Sequence, residues 1–171
     1  QMQAAAIGTA TSIVRPAWND AVLIKRVLDA GAQSVLLPFV QTPEEARQAV
    51  AACRYPPAGL RGTAGGSRAS RDGRVKSYLK SADAEICVLV QIETGDALAQ
   101  IDEIAAVDGV DGVFIGPSDL AASLGHLGEL NHPEVQAAIE LAVTKLKAAG
   151  KPAGILATND EDAMRYIGWG Y

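Results

Sequence analysis

The sequence contains few of the features that mark secreted, membrane or nucleic-acid-binding proteins. Only two cysteines occur, Cys53 and Cys87, which are too few for a disulfide scaffold and suit a reducing, cytoplasmic location. No apolar run reaches the ~18 residues that span a bilayer, and residues 1–6 lack the basic start of a signal peptide. With 15 Lys+Arg against 20 Asp+Glu and a net charge of -5, a nucleic-acid-binding surface is not expected. We therefore predict a cytoplasmic protein that binds neither nucleic acid nor membrane.

The composition is that of a chain with a substantial core. Hydrophobic residues make up 49% and charged residues 20% of the 171 positions, as in globular domains. The length fits one domain of roughly 100–200 residues, so residues 1–171 are predicted to form a single domain. Units of one strand and one helix take about 30 residues each, whereas a closed eight-unit barrel needs at least ~200 residues. The chain is therefore predicted to be an open α/β sheet or part of a larger barrel.

Short runs of apolar residues alternate with segments of helical periodicity along the whole chain. The apolar runs predict strands at 12–14, 34–39, 86–92, 110–115 and 152–156. The periodic segments predict helices at 20–30, 42–54, 75–82, 95–106, 131–149 and 160–166. Because the strands are almost continuously apolar, they are expected to be covered on both faces, in a parallel sheet with helices outside.

Two segments carry clear local signals. Thr42 and Pro43 are typical of an N-cap and a first helical position, and Glu45 stands at the capping-box position. Residues 59–76 break the alternation of strands and helices with glycines and basic residues, which predicts a long loop that is either functional or mobile.

Polar residues at the ends of the predicted strands indicate a site, because sites of parallel α/β folds gather at the carboxyl ends of strands. Gln91 and Glu93 are two residues apart and project from one face of a strand. Asp119 follows the next strand, and adjacent strands are about 4.8 Å apart, so both carboxylates can share one cation. Two carboxylates leave room for water and a chelating substrate, which favours Mg²⁺ or Mn²⁺. Arg15, at the end of the first strand, is placed to stabilise an oxyanion.

Each of these charged residues also has an ordinary structural interpretation. Glu93 can instead cap the helix that begins near Gly95, and Asp119 can be an N-cap. Arg15 can be an ordinary salt-bridge partner. Position in the sequence does not decide between these alternatives and a cation site.

Several long motifs resemble those of one known family. They are residues 14–20 (VRPAWND), 54–57 (RYPP), 59–62 (GLRG), 90–94 (VQIET) and 109–120 (GVDGVFIGPSDL). They closely resemble the HpcH/HpaI aldolases, which are metal-dependent class II pyruvate aldolases, and the resemblance runs through essentially all 171 residues. It implies an α/β fold of the TIM (β/α)8 barrel type, incomplete here, with strands three to seven of eight in this single partial domain.

The resemblance also implies roles for individual residues around a metal. Glu93 and Asp119 match the two metal-binding carboxylates, and Asp119 adjoins the substrate. Gln91 matches a residue that contacts the substrate or a metal-bound water. Ser118 stands where a backbone amide meets the pyruvate carboxylate.

Two catalytic positions and one missing residue complete this comparison. Arg15 matches the arginine that stabilises the enolate. Asp29 matches an aspartate that supports the catalytic histidine in the assembled oligomer, although from sequence alone it is an exposed helix residue. The catalytic histidine itself belongs upstream of residues 12–15, and neither His126 nor His132 matches it.

The implied function is that of a divalent-metal-dependent carbon–carbon lyase. The metal would be Mg²⁺ or Mn²⁺, with Co²⁺ or Zn²⁺ as further options. The partners would be a small 2-oxo acid and an aldehyde: a 4-hydroxy-2-oxo acid such as 4-hydroxy-2-oxoheptanedioate would be cleaved reversibly to pyruvate and an aldehyde by a homo-oligomer, a hexamer in the family. Two alternatives stay open. Residues 125–128 and 151–157 resemble aldolases of 2-dehydro-3-deoxyglucarate or rhamnonate, and without the histidine the chain would be a non-catalytic metal- and keto-acid-binding module.

Overall fold

The computed structural model describes residues 10–171, so the prediction about the opening residues 1–6 lies outside the described part. Five strands form one parallel sheet in the order β1-β2-β3-β4-β5. They are β1 (Ile13–Val14), β2 (Ser34–Leu37), β3 (Cys87–Ile92), β4 (Gly112–Ile115) and β5 (Ala153–Ile155). The described helices are α1 (Ala21–Asp29), α2 (Pro43–Cys53), α3 (Tyr78–Glu85), α4 (Gly95–Ala99), α5 (Ile101–Ala105), α6 (Pro117–Ser123), α7 (Pro133–Ala148) and α8 (Asp160–Trp169). The predicted parallel α/β architecture is confirmed.

The sheet is wound in one direction. Successive strands are also neighbours in space, and the outer helices contact one another in the sequence α1–α2–α5–α7–α8. In a doubly wound sheet the strand order reverses at a switch point, whereas sequential order is the rule in a barrel. The strand order therefore favours the barrel-type arrangement over an open doubly wound sheet.

Burial is greatest in the middle of the sheet and lowest at its edges. All four residues of β2 are buried, as are Val90 and Ile92 of β3 at 0% exposure. Ile13 in edge strand β1 is 55% exposed, and Leu156, which follows edge strand β5, is 54% exposed. Coverage on both faces is thus confirmed for β2 alone, since Cys87 and Leu89 of β3 and Phe114 of β4 are only half-buried and the edge strands are open. Within residues 10–171, no helix combines the length and hydrophobicity needed to cross a membrane.

The helix starting at Pro43 begins as predicted, with one difference. The Thr42 hydroxyl accepts a hydrogen bond from the Glu45 N–H at 3.1 Å. The Glu45 carboxylate reaches back to the N–H of Gln41 at 2.7 Å, one residue before the N-cap. The capping box is therefore displaced by one position, and the Glu45 carboxylate satisfies a main-chain donor just outside the helix.

Three helix predictions need correction. Helix α3 starts at Tyr78 rather than at residue 75. Arg71, Asp72 and Gly73 have successive positive φ angles, and the residues between them and Tyr78 form hydrogen-bonded turns instead of a helix. The predicted helix 95–106 is two helices, broken at Gln100, where ψ is 15°. Helix α6 was not predicted, because its seven residues are too few to show a clear apolar period.

Candidate active site

A cavity of about 340 Å³ opens at the carboxyl ends of the strands. Five of the six residues predicted for the site line it: Arg15, Gln91, Glu93, Ser118 and Asp119. Apolar side chains complete the wall, namely Leu36, Phe114 and Leu156. The structure thus brings together residues that are up to about a hundred positions apart in the sequence, because the parallel strands end at one edge of the sheet.

The register of β3 and β4 places the two carboxylates side by side. Ile92 pairs with Ile115, and the N–H of Gly116 donates to the Ile92 carbonyl at 3.0 Å. Glu93 leaves β3 at this level. Asp119 lies in the first turn of α6, which starts directly after β4.

The capping alternatives for the two carboxylates are wrong. Thr94 is the N-cap of α4, and its hydroxyl accepts from the Ala97 N–H at 3.2 Å. Gly116 is the N-cap of α6, so Asp119 lies inside that helix. Both carboxylates are therefore free of capping roles.

Glu93 is buried and held by neutral donors. The residue is 5% exposed. The carboxylate accepts a hydrogen bond from the Phe39 N–H on Oε2 at 2.8 Å and one from Gln91 Nε2 on Oε1 at 2.9 Å. Burial raises the pKa of Glu93, nearby Asp119 adds to the increase, and the Phe39 N–H and the Arg15 charge oppose it. This is a carboxylate whose negative charge the surrounding hydrogen bonds do not neutralise.

Gln91 presents a second unsatisfied oxygen. The residue is 8% exposed, and its Oε1 has no hydrogen-bond partner among the described residues. Its Nε2 is committed to Glu93, because an ionised carboxylate can only accept. A buried polar atom without a partner is costly, so an oxygen lining a cavity in this state indicates a place for a ligand or water.

Gly116 is required by space rather than by backbone conformation. Its φ of -95° is accessible to any residue. A Cβ here would lie 2.6 Å from Glu93 Oε1 and 2.8 Å from Gln91 Nε2. Any larger residue would displace the Gln91–Glu93 pair.

Phe39 is the site residue that sequence reasoning missed. The prediction that the second strand extends to residue 39 is wrong, because β2 ends at Leu37. Phe39 instead adopts a φ of 56°, which is rare for a bulky residue, and its ring stacks on Trp18 with centroids 5.2 Å apart. The signal available in the sequence was Pro38, which lacks an N–H and so cannot continue the strand ladder.

The donor set fits a hard divalent cation. Glu93 and Asp119 supply carboxylate oxygens, and Gln91 supplies the unpartnered amide oxygen nearby. Oxygen ligands of this type suit Mg²⁺ or Mn²⁺. Arg15 is exposed, lines the same cavity and forms no ion pair within the described residues. The salt-bridge alternative for Arg15 therefore finds no support in residues 10–171.

Asp29 lies apart from the cavity. Its carboxylate, at the end of α1, pairs with Lys25 and accepts from Arg61 Nη2 at 2.9 Å. Burial alone would raise the pKa of Asp29, but the hydrogen bonds from Lys25 and Arg61 hold it below its usual value. The Arg61 side chain is fully buried and lies over the Tyr55 ring at 4.5 Å. The exposed-residue interpretation is wrong, and the role of Asp29 in an assembled oligomer stays a prediction.

The two histidines lie outside the cavity lining, in agreement with the sequence comparison. His126 is in the segment between α6 and α7, and His132 is the N-cap of α7. The helix predicted at 131–149 thus begins with His132 as its N-cap.

The chain forms a parallel α/β sheet with sequential strands, and two carboxylates and an arginine lie at the strand ends. This arrangement is typical of a site for a small molecule. Comparison with known proteins identifies the family. Residues 1–171 match the profile of HpcH/HpaI aldolase/citrate lyase. The chain belongs to this family.

Named relatives and a solved structure agree with this assignment. The chain is 63% identical over 150 residues to a hydroxypyruvate/pyruvate aldolase of Sagittula stellata, covering 88% of this chain and 59% of that protein. It is 54% identical over 168 residues to a 4-hydroxy-2-oxo-heptane-1,7-dioate aldolase of Salmonella heidelberg, covering 98% of this chain and 64% of that protein. A crystal structure of a family member from Burkholderia cenocepacia superposes with a TM-score of 0.94 at 42% identity, covering 98% of this chain and 67% of that one. The chain thus spans about three fifths of the length of these two curated relatives.

Proposed function

We propose that this chain carries the cation- and oxo-acid-binding part of a divalent-metal-dependent pyruvate aldolase. The enzyme would reversibly cleave a 4-hydroxy-2-oxo acid, such as 4-hydroxy-2-oxoheptanedioate, to pyruvate and an aldehyde. The observation that carries the proposal is Glu93, which is buried beside Asp119 with only neutral hydrogen-bond donors. The activities named for the relatives support it.

The strand order supports a fold proposal for the whole protein. Strands β1 to β5 would be strands three to seven of an eight-stranded TIM barrel, with sequential neighbours as in that fold. The exposed edge residues Ile13 and Leu156 would then contact the remaining barrel strands, because exposed strand edges in native proteins are paired or protected.

The size of the cavity supports a small substrate. About 340 Å³ falls at the lower end of the ~300–1,000 Å³ of small-molecule pockets. Its wall combines an arginine, two carboxylates and the apolar residues Leu36, Phe114 and Leu156. A short oxo acid matches this mixture, because its polar head needs charged groups and its carbon chain does not.

The residues of the site would divide the chemistry between them. Glu93 and Asp119 would hold Mg²⁺ or Mn²⁺, which when bound supplies a Lewis acid for the keto acid. Arg15 would stabilise the negative charge that develops on the enolate oxygen. The Ser118 N–H, in the first turn of α6, lacks an intrahelical acceptor and would donate to the substrate carboxylate. Phe39 and Gln91 would orient Glu93 through their hydrogen bonds.

A second candidate function follows from the position of the histidines. Cleavage needs a base at the C4 hydroxyl, and neither His126 nor His132 lines the cavity. The family resemblance places that base upstream of residues 12–15. A chain without it would bind metal and oxo acid without turnover, as a binding module.

The test measures pyruvate release and metal binding together. Pyruvate formation from 4-hydroxy-2-oxoheptanedioate and from 2-dehydro-3-deoxyglucarate is followed with Mn²⁺, with Mg²⁺ and after chelation, while calorimetry measures Mn²⁺ and pyruvate binding. The control for Glu93→Gln is Glu103→Gln, which removes an exposed carboxylate in α5.

Each outcome of this test separates the candidates. Metal-dependent release that Glu93→Gln abolishes and Glu103→Gln preserves supports the aldolase. Binding of Mn²⁺ and pyruvate without release supports the binding module. If the chain neither releases pyruvate nor binds Mn²⁺ and pyruvate, the proposed site is wrong. The preferred substrate distinguishes the diacid aldolase from the sugar-acid aldolase, and the homo-oligomer, a hexamer by family resemblance, stays a prediction to be checked by light scattering.

A further inference from the structure

A cluster of two histidines and a glutamate lies between α6 and α7. His126 follows α6, His132 is the N-cap of α7, and Glu134 lies in the first turn of α7. Potential metal-binding atoms of these three residues all lie within 4.8 Å of one another. The arrangement is separate from the cavity lined by Glu93 and Asp119.

The backbone brings the two imidazoles together. The N–H of Glu129 donates to the His126 carbonyl at 2.9 Å, and the N–H of His132 donates to the Glu129 carbonyl at 2.9 Å. These two consecutive turns return the chain so that the rings stack with centroids 3.5 Å apart. Gly125 and Gly128 have φ angles of 86° and 81°, which glycine adopts without steric cost. The histidines are therefore juxtaposed by the main chain rather than by chance side-chain rotation.

The donors already approach the spacing of a metal site. His126 Nε2 and Glu134 Oε2 are 2.9 Å apart. Two ligands of a tetrahedral ion with bonds of about 2.0–2.1 Å are themselves about 3.3 Å apart. His132 Nδ1 accepts from the Glu134 N–H at 3.3 Å as the N-cap, and the ring would have to turn out of its stack on His126 for a nitrogen to face the same ion.

The chemistry of these donors differs from that of the first site. Two imidazole nitrogens and one carboxylate oxygen suit a borderline metal such as Zn²⁺, and the same set of three protein ligands recurs in known zinc sites. Glu93 and Asp119 offer only oxygen, which suits Mg²⁺ or Mn²⁺. The two sites would thus select different ions.

We propose that His126, His132 and Glu134 form a second, transition-metal site that takes Zn²⁺, with one coordination position left to water. The ion would join the loop after α6 to the start of α7. The loop is itself anchored on α6, because the His126 N–H donates to the Ala121 carbonyl at 2.8 Å. Metal binding would therefore stabilise the α6–α7 connection.

The test isolates the second site by removing the first. Calorimetric titration of the Glu93→Gln/Asp119→Asn double variant with Zn²⁺ is expected to give one ion per chain. His126→Asn and His132→Asn in that background should raise the dissociation constant by at least about 100-fold, because losing a ligand costs more than losing an outer-shell partner. Asparagine is also a good N-cap, so His132→Asn keeps the start of α7. Glu129→Gln, in the same loop, is the matched control and should leave the dissociation constant unchanged.

A second measurement uses the unaltered chain. It has only two histidines, so the imidazole proton resonances report on this cluster alone. With excess Mg²⁺ present, one equivalent of Zn²⁺ should shift both ring signals together and raise Tm, and His132→Asn should abolish the rise in Tm. The proposal is overturned if the double variant binds no Zn²⁺, if binding does not depend on His126 and His132, or if the ring signals of the native chain do not respond.

Discussion

Two carboxylates with opposite surroundings, Glu93 and Asp29, show how this chain separates a site from its supporting structure. Glu93 accepts from a main-chain N–H and a glutamine amide, and burial raises its pKa. Asp29 is paired with Lys25 and Arg61, and the hydrogen bonds from these cations hold its pKa down despite the opposing effect of burial. The hydrogen-bond donors to Asp29 are cationic side chains, whereas the donors to Glu93 are neutral.

The difference indicates which carboxylate is available to a ligand. A charge that is neutralised inside the fold contributes to holding the fold and gains little from an added cation. A buried charge held by neutral dipoles costs free energy until a cation arrives. Glu93 is therefore prepared for a cation, and Asp29 fastens α1 to the loop that carries Arg61.

The largest effect is expected from Glu93→Gln. This change should remove Mn²⁺ binding and lower kcat by at least about a thousand-fold, since a metal contributes several kcal/mol to the transition state. Tm should not fall, because a glutamine here can accept from the Phe39 N–H and donate to Gln91 once the Gln91 amide rotates. Calorimetry, kinetics and thermal unfolding check the three parts. A large drop in Tm would show that Glu93, like Asp29, serves the fold.

A smaller loss is expected from Arg15→Ala. Arg15 lines the cavity and is unpaired within the described residues, so its charge is available to the substrate. Its removal should lower kcat by about 10²–10³-fold, with little change in Tm. Steady-state kinetics and melting curves are compared with those of Arg26→Ala, an exposed arginine on α1. If Tm falls and kcat does not, Arg15 neutralises Glu93 as Arg61 neutralises Asp29.

Gly116→Ala tests the packing behind Glu93. Its Cβ would lie 2.6 Å from Glu93 Oε1, so the carboxylate must shift. We expect Mn²⁺ affinity to fall by about 10–100-fold, as for changes in residues that orient metal ligands, and stability to fall by about 1–3 kcal/mol from overpacking.

Gly168→Ala is the control for this steric effect. Gly168 is inside α8, and a Cβ there meets nothing within 4 Å. Alanine should therefore stabilise the helix by about 0.5–1 kcal/mol and leave Mn²⁺ binding unchanged. Equal effects of the two substitutions would refute the steric argument for Gly116.

Asp29→Asn is expected to have the smallest effect, a loss of stability that is separate from the predicted role of Asp29 in an assembled oligomer. It deprives the buried Arg61 guanidinium of its carboxylate and should cost about 1–3 kcal/mol at neutral pH. Because the pKa of Asp29 is lower in the folded chain than the ordinary pKa of an aspartate, its contribution is fully present above that ordinary value and is lost as the pH falls through the folded value. The difference in unfolding free energy between the native chain and Asp29→Asn should therefore shrink in acid. A difference that persists unchanged there would exclude the charge as its source.

Much of the fold could be predicted from local pattern. The five strands follow from short apolar runs, and the start of α2 follows from Thr42 and Pro43, since a cap needs only neighbouring residues. Helix α6 was not predicted because it is too short to show the helical period of apolar residues. The break at Gln100 was not predicted because the helical spacing of apolar residues continues through it.

The candidate site was predictable where strand ends carry polar residues. Gln91, Glu93 and Asp119 follow from that rule and from family motifs. Pro38 marks the end of the strand before Phe39, but the contact of Phe39 with Glu93 was not predictable, because it rests on a main-chain N–H and a positive φ rather than on a side chain. The partners of Asp29 could not be predicted either, since Arg61 lies in a loop whose sequence shows only glycines and basic residues, yet its side chain is fully buried.

The sequence by itself determined the alternation of strands and helices, the caps and the polar residues at the strand ends, because these depend on spacing along the chain. Only the tertiary structure decided which charges meet. Parallel pairing brought Glu93 to Asp119, and packing of the 59–76 loop against α1 brought Arg61 to Asp29. Charge neutralisation depends on distance in space and on burial. It therefore appears only once the chain is folded.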